Sequence, residues 1–305
     1  MISFKHFVKS DNFVVVCILF TMVLFGLSFM FSRIALATAS VFTLLSWRFF
    51  TAFFLMTLFR VFGILKIELK GLPLPLLCIG LFHPILYFSF ETIGISLTSA
   101  AESGVIIATI PIVSMIFAAL FLKEYPARLQ IAAIILSVSG AAVVMLGQGA
   151  SSATLNLTGY LALFGAVFSG SLFFVFSRKA ADYSSIAKSY VMLGMGFVVF
   201  TTIAAVEHLR NGSVSEWLLL PFSDMGFLIS LLYLGAFVSI AGFWIMNFSI
   251  ARLGVYRTST FAGIATVVSV LSGVFILNEP FTLTQGLGTV MILTGVAGVN
   301  KFAKK

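Results

Sequence analysis

Long apolar runs separated by short polar gaps dominate this chain. A helix that crosses a bilayer needs about 20 apolar residues at a rise of about 1.5 Å each. Segments of about that length cover residues 13–32, 41–61, 71–93, 99–122, 127–147, 158–177, 186–206, 224–248, 256–277 and 283–300. The longest gap, 207–223, carries Asn211, Gly212 and Pro221, which are typical of turns. The pattern therefore predicts an all-α, polytopic membrane protein of ten transmembrane helices.

Two stretches, 112–143 and 267–298, repeat the same punctuation 155 residues apart. Each is an apolar helix that ends at a lone glutamate, passes a proline and restarts as a second apolar helix closing on glycine. The offset pairs Glu124 with Glu279, Gln130 with Gln285, and Gly140 with Gly295. Such a repeat indicates two copies of one plan, which we place at residues 1–148 and 155–305. Since an odd number of helices separates the copies, we expect inverted repeats with a substrate site between them near the membrane midplane.

Composition excludes a soluble globule. Of the 305 residues 60% are hydrophobic and only 9% are charged, against about 25% charged in soluble domains. Cys17 and Cys78 lie inside apolar stretches, so no disulfide framework is expected. The net charge of +8 comes from basic residues that fall singly between apolar runs, which argues against a nucleic-acid partner.

The basic residues indicate the orientation in the membrane. The apolar run from Phe13 to Phe31 exceeds the 7–15 residues of a signal peptide, so we expect a retained first helix. With the N-terminus inside, only Arg33, Arg48 and Arg210 of the 18 Lys and Arg fall on or near the outer side. This bias predicts that both termini are cytoplasmic.

Several short motifs resemble one transporter family. They are FGLSFMFSR (25–33), Trp47-Arg48-Phe49, LTSAAESG (97–104) with Pro111 and Lys123-Glu124, and RLGVYRTS (252–259) with Asn278-Glu279-Pro280. In order and spacing the chain resembles the ten-helix EamA-type branch of the drug/metabolite transporter superfamily. The resemblance implies a carrier of the inner (plasma) membrane, often an exporter of amino acids or other small metabolites. It also implies a structural or hinge role for Glu124 and Glu279. One departure is Thr266, which stands where the offset expects a second proline.

Three charges fall inside predicted helices, where each costs roughly 2.5–3.5 kcal/mol on insertion scales and is a functional candidate. These are Arg48, Glu91 and Glu102, all in the outer third. A buried arginine beside two carboxylates would neutralise them and leave one acid free to bind an amine or a proton. The alternative is a structural ion pair, or solvation at the outer loop.

The third predicted helix carries a polar stripe. His83, Tyr87 and Glu91 recur every four residues and so share one helical face, with Pro84 interrupting the backbone beside His83. The stripe predicts a pore lining with a proton path. The alternative is a histidine bonded between helices and a tyrosine at the membrane interface. Four further candidates for the cavity, for which packing is the competing interpretation, are Ser28, Trp47, Trp244 and Asn247.

The leading hypothesis is a secondary transporter working by alternating access, with a small-molecule substrate, protons and the lipid bilayer as its partners. No GxxxxGK[ST] loop occurs, so no ATP site, cofactor or metal is expected. A second hypothesis is a membrane enzyme acting on lipid with His83 and Glu91 as acid and base, although no HExxH or Ser/His/Asp arrangement supports it. A third is a non-transporting membrane partner or sensor.

Overall fold

A computed structural model describes residues 11–68, 71, 74–98, 103, 106–146, 156–277 and 282–302. The regular elements there are α1 (Asp11–Leu36), α2 (Val41–Val61), α3 (Leu74–Leu97), α4 (Ile110–Leu122), α5 (Arg128–Leu146), α6 (Leu157–Lys179), α7 (Ser185–Asn211), α8 (Val214–Ser223), α9 (Met225–Leu253), α10 (Val255–Thr260), α11 (Ala262–Leu277) and α12 (Leu283–Lys301). As predicted, the chain is all-helical, and these ranges contain no strand. Helices α1, α2, α3, α6, α7 and α9 are long and apolar enough to cross a membrane. Each coincides with one of the predicted spans.

Two of the long helices contain a π-helical stretch, Leu81–Leu86 in α3 and Tyr233–Gly242 in α9. In α3 the sequence explains it, because Pro84 has no N–H to donate and its ring clashes with the preceding turn. The residue before it, His83, has φ −148° and ψ 108°, well outside the helical region. The backbone of α3 is therefore interrupted one turn before Tyr87.

Pro111 acts differently, because it lies in the first turn of α4. The first N–H groups of a helix have no intrahelical acceptor, so a proline without an N–H is well tolerated there. Ala108 and Thr109 form a turn immediately before α4. The span predicted over residues 99–122 is therefore interrupted rather than continuous.

The two repeats share local structure. At the start of α5 the side-chain oxygen of Gln130 accepts a hydrogen bond from the backbone N–H of Ala127 at 2.9 Å, and at the start of α12 Gln285 accepts one from Thr282 at 2.8 Å. The differences 285 − 130 and 282 − 127 both equal the offset of 155. Residues that are 155 positions apart in the sequence therefore make the same hydrogen bond at the start of equivalent helices.

Helices α5 and α12 cross at the paired glycines. A Cβ on Gly140 would lie 2.7 Å from the carbonyl oxygen of Gly288, and a Cβ on Gly295 would lie 2.6 Å from the carbonyl oxygen of Ala133. Both neighbours are backbone atoms, so only glycine permits this approach. Adding 155 to each α5 residue of one contact gives the α12 residue of the other contact, since 133 becomes 288 and 140 becomes 295. Residue 133 of α5 contacts residue 295 of α12, and residue 140 contacts residue 288, so the residue numbers run in opposite directions along the two helices. The two helices are therefore antiparallel and related by a local two-fold axis.

The loop predicted over residues 207–223 is wrong in part. Helix α7 continues to Asn211 and ends at Gly212, whose φ of 66° is left-handed, and α8 follows at once. The turn chemistry of Asn211 and Gly212 marks a helix end rather than a loop. The indole N–H of Trp217 joins α8 to α2 by donating to the Ser46 hydroxyl at 3.1 Å.

Candidate functional site

A cavity of about 90 Å³ lies between the two repeats. Residues of α1, α2, α3 and the start of α4 line it from the first repeat, and residues of α6, α9 and α11 line it from the second. Five of the predicted site residues meet in its wall, namely Ser28, Arg48, His83, Tyr87 and Glu91. Most of the remaining wall is apolar, so these polar groups are the features that a solute would meet.

The stripe on α3 forms a connected row. The Tyr87 hydroxyl donates to Oε1 of Glu91 at 2.6 Å, and the Tyr87 ring stacks on the His83 ring with centroids 4.8 Å apart. Spacing by four places all three on one face despite the break at Pro84. A carboxylate, a phenol and an imidazole therefore follow one another along the cavity wall.

The His83 ring is enclosed by aromatic side chains. Phe88, Phe173 and Phe243 lie with ring centroids 5.0, 4.6 and 4.8 Å from it, and Tyr87 covers a further side. Its Nδ1 atom is buried and has no hydrogen-bond partner in the described part of the chain. This cage keeps the imidazole in a fixed position beside the cavity.

Arg48 of α2 also lines the cavity and is 3% exposed. Its Nε donates to the Ser239 hydroxyl at 3.0 Å, and its guanidinium carbon lies 4.3 Å from the centroid of the Phe88 ring. No salt bridge joins Arg48 to a carboxylate of the described residues, so the alternative of a structural ion pair with Glu91 is not observed. The two charges still interact electrostatically, and the neutralisation of Glu91 by Arg48 stays a prediction. Glu102, the third predicted charge, lies outside the described residues.

Three predicted residues are absent from the cavity wall. The Trp47 indole N–H donates to the backbone of Trp217 at 3.0 Å, since successive helical residues point about 100° apart and Arg48 takes the cavity side. Trp244 is 44% exposed on the outside of the bundle. Asn247 is fully buried, where its Oδ1 accepts from the Ser177 hydroxyl at 2.6 Å. Packing, the competing interpretation, describes the surroundings of Trp47 and Asn247, whereas Trp244 is exposed.

Sequence reasoning missed several groups that line the cavity or contact the residues in its wall. Ser239 was hidden among many buried serines, and Phe88, Phe173 and Phe243 were indistinguishable among 35 phenylalanines. Thr266 lines the cavity and had a usable signal, because the offset of 155 makes it the counterpart of Pro111. A residue that departs from its repeat partner deserved a place among the candidates.

An ion pair lies at one end of the bundle, which we call the Glu124 end. It comprises the ends of α4, α6 and α9 and the start of α7. Nε of Arg178 lies 3.1 Å from Oε1 of Glu124, and Nη1 of Arg178 donates to the carbonyl of Ala251 at 2.8 Å. Nearby, the buried Lys188 ammonium donates to the carbonyl of Ser177 at 2.6 Å. The bonds of Arg178 join the chain just after α4 of the first repeat to α6 and α9 of the second, and the bond of Lys188 joins α7 to α6. Glu279, the repeat partner of Glu124, lies outside the described residues.

The geometry favours binding over chemical catalysis. The cavity offers one guanidinium and one carboxylate in a mostly apolar wall that also holds Ser28, His83, Tyr87 and Thr266. The described residues contain no group of His, Cys, Asp or Glu that would hold a metal ion. A guanidinium and a carboxylate that line one cavity without a salt bridge between them suit a small solute with complementary ends.

Comparison with known proteins agrees with this architecture. Residues 12–146 and 157–301 each match the EamA-like transporter family. The chain is 35% identical over 277 residues to an uncharacterized transporter, YcxC of Bacillus subtilis, covering 90% of this chain and 88% of that one. It is 24% identical to a probable amino-acid metabolite efflux pump of Escherichia coli, over 55% of this chain and 56% of the pump. A crystal structure with 18% identity superposes with a TM-score of 0.74 over 95% of this chain and 97% of that one.

These matches decide between the hypotheses. The relatives are named as transporters, so the lipid-acting enzyme with His83 and Glu91 is not supported, and the family resemblance is confirmed. The match covers both repeats and nearly all of the chain. The protein is therefore an integral membrane transporter that belongs to the EamA-like transporter family, within the drug/metabolite transporter superfamily.

Proposed function

We propose that this transporter exports amino acids or closely related small metabolites by alternating access through the cavity between its two repeats. One observation carries the proposal: Arg48 and Glu91 line the same cavity without forming a salt bridge to each other. A solute that bears a carboxylate and an ammonium group would complement both charges. The relative named as an amino-acid metabolite efflux pump supports the same substrate class.

The proposed mechanism needs ten membrane spans in two inverted repeats, residues 1–148 and 155–305, with both termini in the cytoplasm of a cell with an inner (plasma) membrane. The antiparallel crossing of α5 and α12 about a local two-fold axis supports the inversion. In this orientation the Glu124 end faces the cytoplasm. The bonds of Arg178 to Glu124 and Ala251 then belong to a state closed on the cytoplasmic side.

Glu91 is the proposed coupling group, for either the substrate amine or a proton. Its carboxylate accepts from Tyr87, and the row that continues to His83 offers a proton acceptor, Nδ1, without another partner in the described residues. Coupling to protons would make the transporter an antiporter. Coupling to the amine would leave export driven by the substrate gradient alone.

The test is uptake by everted membrane vesicles of a panel of the twenty amino acids, with and without a pH gradient. Arg48→Gln should abolish uptake of the amino acid that the wild type accumulates fastest, because the carboxylate loses its charged donor. Glu91→Gln, which keeps an oxygen acceptor for Tyr87, should lose the response to the pH gradient if it carries a proton, and should lose uptake with or without the gradient if it binds the amine.

The matched controls are Arg210→Gln and Glu216→Gln, which remove the same charges from exposed positions and should leave uptake unchanged. Wild-type uptake by Arg48→Gln would contradict the proposed substrate site. Uptake of no amino acid by the wild type would contradict the substrate class. Orientation is tested separately with Lys123→Cys and Arg210→Cys, which an impermeant thiol reagent should label from opposite sides of the membrane.

A further inference from the structure

The Arg48 guanidinium is held on two sides. Its Nε donates to the Ser239 hydroxyl at 3.0 Å, and the Phe88 ring lies 4.3 Å from its central carbon. A cation over an aromatic face is attracted by the ring, and more strongly where water is excluded. Since Arg48 is only 3% exposed, little water competes with either contact. Together they define the plane of the guanidinium and its rotation within that plane.

Ser239 has its own orientation fixed. Its hydroxyl donates to the carbonyl oxygen of Leu234, five residues earlier, at 2.8 Å. A hydroxyl has one proton to donate and two lone pairs to accept with, so the bond to Leu234 leaves its oxygen free to accept from Arg48. Both residues lie in the π-helical stretch Tyr233–Gly242, and such stretches occur often at functional sites.

The remaining donors of Arg48 are uncommitted. In the described part of the chain no hydrogen bond or salt bridge is made by its two terminal nitrogens, and Arg48 lines the cavity. A guanidinium whose Nε is occupied presents its terminal N–H groups as a planar pair, which suits two carboxylate oxygens. The angle at which that pair meets a solute depends on the bond to Ser239.

We propose that Ser239 is a positioning residue that sets Arg48 for recognition of a substrate carboxylate. This inference rests on the proposed function, in which Arg48 binds the acid group of an amino acid. Ser239 lies on the second repeat and Arg48 on the first, so the hydrogen bond also ties recognition of the carboxylate to the relative position of the two repeats.

The test uses the full chain in proteoliposomes, with two probes: the amino acid that the wild type accumulates fastest among the twenty, and the amine that lacks its carboxylate. Ser239→Ala should raise the KM for the amino acid about tenfold, as expected for losing a hydrogen bond to a charged group, with its maximal rate within about twofold. Competition by the amine should not change. Ser239→Thr, which keeps the hydroxyl, should restore a KM near that of the wild type.

The matched control is Ser230→Ala. Ser230 is a fully buried serine of the same helix whose Oγ has no hydrogen-bond partner in the described residues, so its removal should change neither probe. A second check is the Arg48→Lys background, which has no Nε–H, and where Ser239→Ala should have no further effect. Elution as a single peak in size-exclusion chromatography verifies folding, and Ser239→Cys, with a weaker acceptor, replaces the alanine variant if that variant aggregates.

A wild-type KM in Ser239→Ala, together with loss of uptake in Arg48→Gln, would overturn this inference and leave the proposed function standing. Equal rises in KM for Ser239→Ala and Ser230→Ala would also overturn it, because removing any buried hydroxyl of α9 would then raise the KM as much as removing the one bonded to Arg48. Wild-type uptake in Arg48→Gln, or no uptake of any amino acid, would remove the proposed function and this inference with it.

Discussion

The glycine crossing of α5 and α12 gives the sharpest prediction about the fold. In Gly295→Ala the new Cβ would lie 2.6 Å from the carbonyl oxygen of Ala133 and 2.7 Å from the backbone nitrogen of Ser137. Ordinary contacts between heavy atoms lie near 3.5–4.0 Å, so the helices would have to separate by roughly 1 Å. Overpacking of this kind costs about 1–3 kcal/mol, whereas alanine gains only about 0.5–1 kcal/mol over glycine within a helix.

Gly298→Ala is the matched control, because it receives the same gain in helix propensity. Its Cβ would meet the Cβ of Ala133 at 3.0 Å, which is a side-chain contact and a milder one. The difference in melting temperature between the two variants therefore isolates the backbone clash. At about 2–4 °C per kcal/mol for chains of 150–250 residues, Gly295→Ala should melt several degrees below Gly298→Ala in detergent, as followed by a thiol-reactive dye.

The local two-fold axis that relates α5 and α12 predicts the same effect for the equivalent glycine, Gly140. Gly140→Ala should lower the melting temperature as Gly295→Ala does, and the double variant should lose less than the sum, because one separation of the helices relieves both clashes. A Gly295→Ala variant that melts at or above Gly298→Ala would refute the close crossing. Strict additivity in the double variant would refute the shared origin of the two contacts.

Two further predictions concern the ends of the bundle. Glu124→Gln should make the Glu124 end more accessible, because a partly exposed ion pair contributes up to about 1 kcal/mol. Thiol labelling of a Ser177→Cys probe should then rise about fivefold, whereas the control Lys179→Gln should leave the labelling unchanged. Equal labelling in all variants would show that the ion pair does not hold this end closed. At the start of α9 the backbone N–H of Phe227 donates to the Asp224 carboxylate and holds its pKa below the usual 3.8. The stabilisation by this cap is therefore complete above pH 3.8 and is lost as the pH falls through the lower folded-state pKa. Asp224→Asn keeps an oxygen acceptor without the charge, so its melting temperature should vary less with pH below about 5 than that of the wild type, and an unchanged pH profile would contradict the role of the charge.

Much of the fold follows from patterns that repeat along the chain. The offset that pairs Gln130 with Gln285 in the sequence pairs equivalent caps in the structure, because the same local sequence meets the same backbone requirement. The apolar run of α2 and its predicted span share the bounds 41 and 61. Helix α8 escaped notice because its ten residues are too few for a span, and because Asn211 and Gly212 resemble a loop as much as a helix end.

The site was predictable only where spacing carried the information. His83, Tyr87 and Glu91 are found together because one helix places residues four apart on one face. Partners from distant helices have no such signal: nothing near Arg48 in the sequence points to Ser239, which lies 191 residues away. Charge and depth in the membrane did point to Arg48 and Glu91, and both residues line the same cavity.

The crossing of α5 with α12 also bears on how the protein is assembled during synthesis. The two faces that meet are separated by 155 positions in the chain, and ribosomes add about 5–20 residues per second. The small-residue face of α5 is therefore made roughly 8–30 s before its counterpart on α12. During that interval a shortened product would present the same face to any neighbouring membrane helix with a matching groove.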